Sequence, residues 1–277
     1  MFIDKLSPSK IKVFDECKAK YKFKYIDYLK EDYNDNLSTD ALQFGQFIHK
    51  VLEDGVNCSS YEDLNAIADS VRSQYTFSKE KGALTERSLR NFAVFNKQLT
   101  HTVSTEMNFS VESPCEGYNI NGIIDRVVVG KTGDLLVIDY KTSKRPASKR
   151  DLYNDAQMQM YSYAVHKMYD VPIDKITVSH YYPHLDKFVS IKYSAKHIAL
   201  FLNAQKGKVW DIRKRKKGDF HPVVNRFCDW CGFKDLCSAH GADPVKSAKV
   251  IEEVGKARRK NKPSIHDKGF YSKKSKP

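Results

Sequence analysis

The sequence predicts an α/β domain, a sheet flanked by helices, and three observations carry that expectation. At 277 residues with 41% hydrophobic residues, the chain is long enough to bury a sizeable core as one domain or two. Its hydrophobic period is near 3.6 before about residue 104, shifts towards 2 between Thr105 and Tyr140, and alternates between the two afterwards. Within the second zone, β-branched and aromatic runs are separated by Gly, Pro and Asn, which reads as a strand meander.

Each element has its own signal. Ser7-Pro8-Ser9 followed by Ile11, Phe14, Cys17, Tyr21 and Tyr25 reads as a helix with Ser7 at N-cap and Pro8 in the first turn, with Cys17 on its buried stripe. Asp40 to Gly55 reads as a second helix on which Gly45 and His49, four apart, share a face, so that the glycine leaves room beside the imidazole. Two more helices are expected over Leu64 to Val71 and Leu84 to Val103. Strands follow at Thr105 to Val111, Tyr118 to Val129 and Asp134 to Tyr140, then a helix from Asp151 to Tyr169. Strands at Ile176 to Tyr182 and Lys187 to Tyr193 precede a helix from Ala195 to Lys216, and Gly241 to Pro244 marks the end of the folded body. The expected division is therefore a domain over 1–240 and a basic, mobile tail over 241–277.

The formal net charge of +13 favours a polyanionic partner. Lys246 to Pro277 alone carries +8, with few large apolar residues to offset its ordering entropy. Such a tail reads either as a solubilising end or as an electrostatic tether for nucleic acid. No apolar run is long enough to span a bilayer and no secretion signal opens the chain, so the expectation is a cytoplasmic protein without a membrane partner. Gly130-Lys131-Thr132 imitates the end of a phosphate-binding loop, but Asp125 stands where that loop requires its first glycine, and no nucleotide motor is expected.

Six cysteines are unevenly placed: Cys228, Cys231 and Cys237 cluster, Cys17 lies near the start, and Cys58 and Cys115 stand apart. In a cytosolic chain such clustering points to a metal before a disulfide. Three thiolates need a fourth ligand, with Cys17, His221 and His240 as candidates, and spacing alone leaves zinc and iron–sulfur both open. Either would clip segments 211 positions apart, a crosslink worth on the order of 4 to 5 kcal/mol by analogy with long disulfide loops.

The densest chemical cluster lies on the meander. Asp139 and Lys141 share one side of a strand, and Asp125 on the preceding strand of a hairpin can reach the same patch. Two carboxylates brought together repel each other, and a divalent cation resolves that repulsion. Gln157 and Tyr161, four apart on a helix, could point into the same place. Lys144, Arg145, Lys149, Arg150 and the run Arg213 to Lys217 are candidate backbone contacts, and Tyr153 and Tyr163 are candidate stacking residues for unpaired bases.

Taken in order, these motifs resemble the RecB-type branch of the PD-(D/E)XK nuclease superfamily, including the stand-alone iron–sulfur exonucleases associated with CRISPR systems and phages. The resemblance spans residue 5 to about 240. It rests on Leu6-Ser7-Pro8-Ser9-Lys10 with Cys17, Gly45-Gln46-Phe47-Ile48-His49, Glu106 ahead of the hairpin, Gly122-Ile123-Ile124-Asp125-Arg126, Asp139-Tyr140-Lys141-Thr142, Gln157-Met158-Gln159-Met160-Tyr161 and the three clustered cysteines.

The resemblance implies a restriction-endonuclease-like core with a mixed central sheet, and Mg²⁺ or Mn²⁺ held by His49, Asp125, Asp139 and the Tyr140 carbonyl. Lys141 would position or help deprotonate the attacking water and offset phosphoryl charge, and Glu106 would be a second-metal ligand or an orienting group. It also implies a [4Fe-4S] cluster on Cys17, Cys228, Cys231 and Cys237 that ties N- and C-terminal segments. The implied function is a metal-dependent DNA exonuclease acting on single strands or free ends in recombination, repair or phage and CRISPR DNA processing. A helicase or recombination partner would do any unwinding. The competing readings are a structure-specific endonuclease and a non-catalytic iron–sulfur DNA-binding component of a larger complex.

Overall fold

Side-chain caps and β-branched runs set most element boundaries in the structure, a computed structural model that describes residues 4–31, 36–114, 117–130 and 132–260. Cys115, Lys131 and the tail beyond Lys260 lie outside the described residues. After a two-residue strand β1 (Lys5–Leu6), the Ser7 hydroxyl accepts from the Lys10 amide at 3.3 Å and α1 (Pro8–Glu16) begins. The expected continuous helix stops at Cys17, which is extended, before α2 (Lys18–Tyr21) and a π-helical turn over Lys22–Ile26. Cys17 therefore sits at a break and not on a helical stripe. Three helices follow: α3 (Asn36–Asp54), α4 (Tyr61–Val71), capped by Ser60, and α5 (Gly82–Gln98).

Helix α5 ends short of the expected Val103 because Thr100, Thr102 and Val103 favour extended backbone, and β2 (His101–Glu112) already pairs with its neighbour at His101. Next come β3 (Asn119–Val129) and β4 (Leu135–Tyr140). The helix expected over Asp151 to Tyr169 is two. Helix α6 (Lys149–Tyr153) opens with a Ser148/Asp151 capping box, and the Asp155 carboxylate takes the amides of Gln157 and Met158 to start α7 (Ala156–Tyr169). The order then runs β5 (Ile176–Tyr182), β6 (Lys187–Lys192), α8 (Ala195–Lys214) and α9 (Pro244–Lys260). Helix α9 falls inside the stretch expected to be a mobile tail. Asp243 accepts from the Val245 amide at 2.7 Å, and Ile251 and Val254 pack against a cluster of Ala19, Phe23, Leu29 and Phe233.

By their contacts the residues fall into two units, 1–15 with 33–219 and 16–32 with 220–277. The first contains a mixed six-stranded sheet. Strand β3 is its axis: β2 runs antiparallel along one edge from Asn119 to Val129. On the other edge β1 pairs in parallel at Asn119 and Ile120, and β4 pairs antiparallel only from Arg126 to Val129. Among the described residues, that edge of β3 thus has no ladder partner between Asn121 and Asp125. Strand β5 adds in parallel to β4, and β6 closes the order antiparallel to β5.

The sheet is covered on both faces. Ile124, Val127, Val137 and Val178 pack with Met158, Val165, Ile198 and Leu202 of α7 and α8, while Val128, Ile138, Tyr140 and Tyr181 pack with Phe47, Val51, Leu64 and Phe92 of α3, α4 and α5. Such double burial explains why β4 reads as an almost continuous apolar run and not an alternating one. Among the described residues, no helix is long and apolar enough to cross a membrane.

Gly122 lies in the stretch of β3 that is paired on one edge only, opposite Phe109 of β2. A Cβ there would stand 2.9 Å from Cε1 and Cζ of Phe109, whose buried ring meets Tyr161 edge to face at 5.9 Å. Gly122→Ala should therefore destabilise the protein by about 1–3 kcal/mol, the usual cost of overpacking, read as a lower urea midpoint at unchanged slope.

Candidate active site

The gap in the β3 edge is filled by side chains. Asp125, the last residue before β4 joins, turns its carboxylate across the divergence, and Oδ2 accepts the Tyr140 amide at 2.7 Å. The Tyr161 hydroxyl donates to the Ile123 carbonyl in the same gap. Strand pairing thus gives way to side-chain hydrogen bonds where backbone groups would otherwise be left unpaired.

Helix α3 delivers His49 to this place, with Nδ1 3.4 Å from Asp125 Oδ2 and its ring edge-on to Tyr140 at 6.0 Å. From the other side comes Glu106. The registers Thr105 to Arg126 and Met107 to Ile124 set it opposite Asp125, with a left-handed φ of 43° that a non-glycine residue adopts at a cost of roughly 1–3 kcal/mol. Ligand atoms of His49, Glu106 and Asp125 lie within 4.8 Å of one another, the one group of this kind among the described residues. They line an open cleft of about 520 Å³ together with Gly45, Gln46 and Glu53. Gly45 leaves room for Thr142, whose Oγ1 would stand 3.3 Å from an added Cβ, and not for the imidazole as the helical spacing suggested.

Asp139 stands beside this group with its carboxylate already engaged. Oδ2 is 2.6 Å from Lys141 Nζ, and Oδ1 accepts from Gln157 Nε2 at 2.9 Å. Gln157 also donates to the Tyr161 hydroxyl at 2.6 Å, so the two residues four apart on α7 do share the site. The Tyr140 backbone lies close enough to the His49 ring to favour its protonated form. Two further residues went unnoticed in the sequence. His180, in register with Asp139 on β5, is buried with Nε2 at 3.8 Å from Asp139 Oδ2 and 3.9 Å from Asp155 Oδ2. Its signal was its position among apolar neighbours in a strand; that of Asp155 was the Asn154-Asp155 pair ahead of a helical run.

The electrostatics follow from this crowding. Burial and then Asp139 push the Asp125 carboxyl well above the usual range, although the Tyr140 amide opposes them. Burial raises Glu106 too, with Glu53 adding to it, and burial lowers His49 despite the pull of Asp139. Burial also pulls Lys141 down, but Asp139, Asp125 and Asp155 outweigh it and its ammonium is held above the ordinary lysine value. Lys141 is a firm cation, better suited to meeting negative charge than to taking a proton.

The remaining candidates are dispersed. Lys144 and Arg145 are exposed on the loop after Lys141. Arg213 donates to the Gly117 carbonyl and Arg215 pairs with Asp211 at 3.0 Å, so both are engaged within the chain. Tyr163 is buried with its hydroxyl on the Glu112 carbonyl at 3.0 Å, which removes it as a stacking residue, whereas Tyr153 is exposed. In the second unit, Cys17, Cys228, Cys231 and Cys237 line one hollow with Phe23, Phe233 and His240. The Val223 amide donates to Cys17 Sγ at 3.4 Å, and Cys231 has its thiol raised, first by burial and further by Cys17 and Cys237. These sulfurs do not approach closely enough to form a single-ion group like that of His49, Glu106 and Asp125.

Without divalent metal, the raised Asp125 pKa makes the native state bind more protons than the unfolded chain between the ordinary aspartate pKa and the raised one. Stability then falls as pH rises through that window. Asp125→Asn keeps an acceptor for the Tyr140 amide and removes the charge. In EDTA its melting temperature should match wild type in acid and exceed it increasingly as pH rises towards neutrality, as thermal melts across pH will show; a gap that closes with rising pH would contradict this.

The same order of residues recurs in known proteins. The family model of the PD-(D/E)XK nuclease superfamily matches residues 5–238. The chain is 27% identical over 174 residues to one of the subunits of the ATP-dependent helicase/deoxyribonuclease of Streptococcus agalactiae serotype Ia, and equally to that of serotype V, over 57% of this chain and 16% of each relative. It thus spans about a sixth of the length of those relatives. In fold it is similar to the crystal structure of a "Putative exonuclease" from Eubacterium rectale, with a TM-score of 0.53 and 14% identity over 82% of this chain and 86% of that one. The residue order, the mixed sheet and the match across nearly the whole folded chain agree: it belongs to the PD-(D/E)XK nuclease superfamily.

Proposed function

We propose that this chain is a divalent-metal-dependent DNA exonuclease. The observation that carries the reading is the convergence of His49, Glu106 and Asp125 on one point beside the Asp139–Lys141 pair. An imidazole and crowded carboxylates, one of them buried and held against its own charge, make a donor set that fits Mg²⁺ or Mn²⁺. His49, Glu106 and Asp125 would hold the cation, with Asp139 and the Tyr140 carbonyl beside them. Once bound, it supplies charge that polarises a scissile phosphate and acidifies an attacking water.

The chain's own groups do the rest. Lys141, protonated and anchored on Asp139, offsets charge developing on the phosphoryl oxygens and orients the water. Gln157 fixes the Asp139 carboxylate, and Tyr161 ties Gln157 to the β3 backbone. Glu106 acts as a ligand here and not only as an orienting group. DNA as substrate is supported by the similarity to part of a helicase/deoxyribonuclease, which also supports a helicase-type partner for unwinding. Preference for free or single-stranded ends extends the resemblance of the motifs.

Purified protein with Mg²⁺ or Mn²⁺ should degrade linear DNA and spare circular DNA, and EDTA should abolish this. Lys141→Ala should lower the rate by about 100-fold or more, the scale of losing one charge-stabilising group. Cleavage of circular DNA would favour the endonuclease; undiminished cleavage by Lys141→Ala would overturn the site.

We also infer a [4Fe-4S] cluster on Cys17, Cys228, Cys231 and Cys237. Four thiols lining one largely apolar hollow, brought there by the break at Cys17, support it. The role is structural, a clip between distant stretches of chain. Anaerobically prepared protein should contain iron and sulfide in equal amounts and absorb near 400 nm, and Cys228→Ser should lose both and melt earlier. Zinc in place of iron would point to His240 as an alternative ligand.

A further inference from the structure

Tyr153, the last residue of α6, is 41% exposed, yet its ring is held in place. It lies 4.2 Å from the His197 ring, and His197 stacks on Tyr193 at 5.1 Å with an interplanar angle of 6°. Tyr193 is buried, and its hydroxyl donates to the Leu152 carbonyl at 2.7 Å. Tyr153 is tilted by 51° on His197 and also lies 5.6 Å from Tyr193, so the three rings form a triangular cluster with Tyr193 buried at its base and Tyr153 at its exposed rim. An exposed aromatic ordered in advance loses little conformational entropy when another ring settles on it.

The surroundings suit a polyanion. Lys149 and Arg150 are exposed on the same short helix, and Lys144 and Arg145 are exposed on the loop leading to it from Lys141. Asp151, the acid among them, is occupied by the Ser148 cap. The chain runs on from this cluster to the chemistry. Asp155, two residues beyond Tyr153, reaches within 3.9 Å of His180, which lies 3.8 Å from Asp139.

We propose that Tyr153, held at the exposed rim of the Tyr153–His197–Tyr193 cluster, is a stacking platform for an unpaired base of the DNA strand entering the nuclease site, with Lys149 and Arg150 on neighbouring phosphates. This rests on the reading of the chain as a DNA nuclease and specifies its substrate as single-stranded. Paired bases in a duplex hide the faces the platform needs, whereas an unpaired base of any identity offers one.

The test is binding in EDTA, by fluorescence anisotropy, of labelled single-stranded DNA and of a blunt duplex of equal length. Tyr153→Leu should weaken single-strand binding about tenfold, as loss of one base–aromatic stack does, with duplex affinity unchanged. Tyr153→Trp should restore it, and equal melting temperatures will establish that the fold is intact. Replacing Lys149 and Arg150 by Ala should instead lower the slope of log affinity against log salt by about 1.4, for two phosphates on a single strand. Wild-type affinity in Tyr153→Leu, or equal loss on single strand and duplex, overturns the platform. Selective loss of single-strand binding in a chain that cleaves nothing with metal supports the platform and overturns the nuclease reading. Metal-dependent cleavage with single-strand binding unaffected in Tyr153→Leu does the reverse.

Discussion

A gap in the hydrogen-bond ladder of one strand governs the arrangement of this molecule. Strand β3 is paired along one edge throughout, but its other edge is shared by β1 and β4, which leave the stretch from Asn121 to Asp125 between them without a partner. Backbone groups in such a place need other hydrogen bonds, and the site's own side chains supply them: Asp125 receives the Tyr140 amide and Tyr161 donates to the Ile123 carbonyl. The carboxylate is therefore fixed by the fold before any ligand arrives. Its position also sets that of His49 and Glu106, which reach it from α3 and β2.

Holding charges there works against the stability of the metal-free protein. Asp125 is buried close to Asp139, and Glu106 adopts a strained backbone conformation to face it. Asp139 alone has a full ionic partner, Lys141, with Gln157 and His180 around it. The site thus divides into a compensated half, where a lysine is held charged, and an uncompensated half that a cation would complete. On the proposed reading that division would separate the work of meeting phosphate charge from that of binding metal, and it agrees with Glu106, not Asp139, belonging to the group of ligand atoms with His49 and Asp125.

Much of this was legible in the sequence because the carriers are local. Asp125 and Asp139-Tyr140-Lys141 lie on strands with strong β-branched patterning, and His49 and the Gln157/Tyr161 pair follow from helical spacing. What was hidden depends on tertiary partners. The break at Cys17 follows no local signal; Ala19 and Cys17 are engaged instead by His221 and Val223, over 200 positions away. His180 looks like one more residue of a buried strand until the parallel pairing of β4 and β5 sets it beside Asp139. Low hydrophobicity suggested a mobile end after Gly241, yet Ile251 and Val254 find Phe23 and Phe233 to pack against. Glu106 was marked in the sequence by the family resemblance alone, and it is the β2–β3 register that puts it opposite Asp125.

The central claim is that the ladder gap builds a cation site from His49, Glu106 and Asp125. Calorimetric titration of Mn²⁺ into the metal-free protein, in parallel with the Asp125→Asn and Glu106→Gln variants, addresses it directly. The account predicts saturable binding by wild type that weakens by about tenfold or more in each variant, the lower end of what loss of a ligand or its support costs. Equal Mn²⁺ affinity in all three proteins would contradict it.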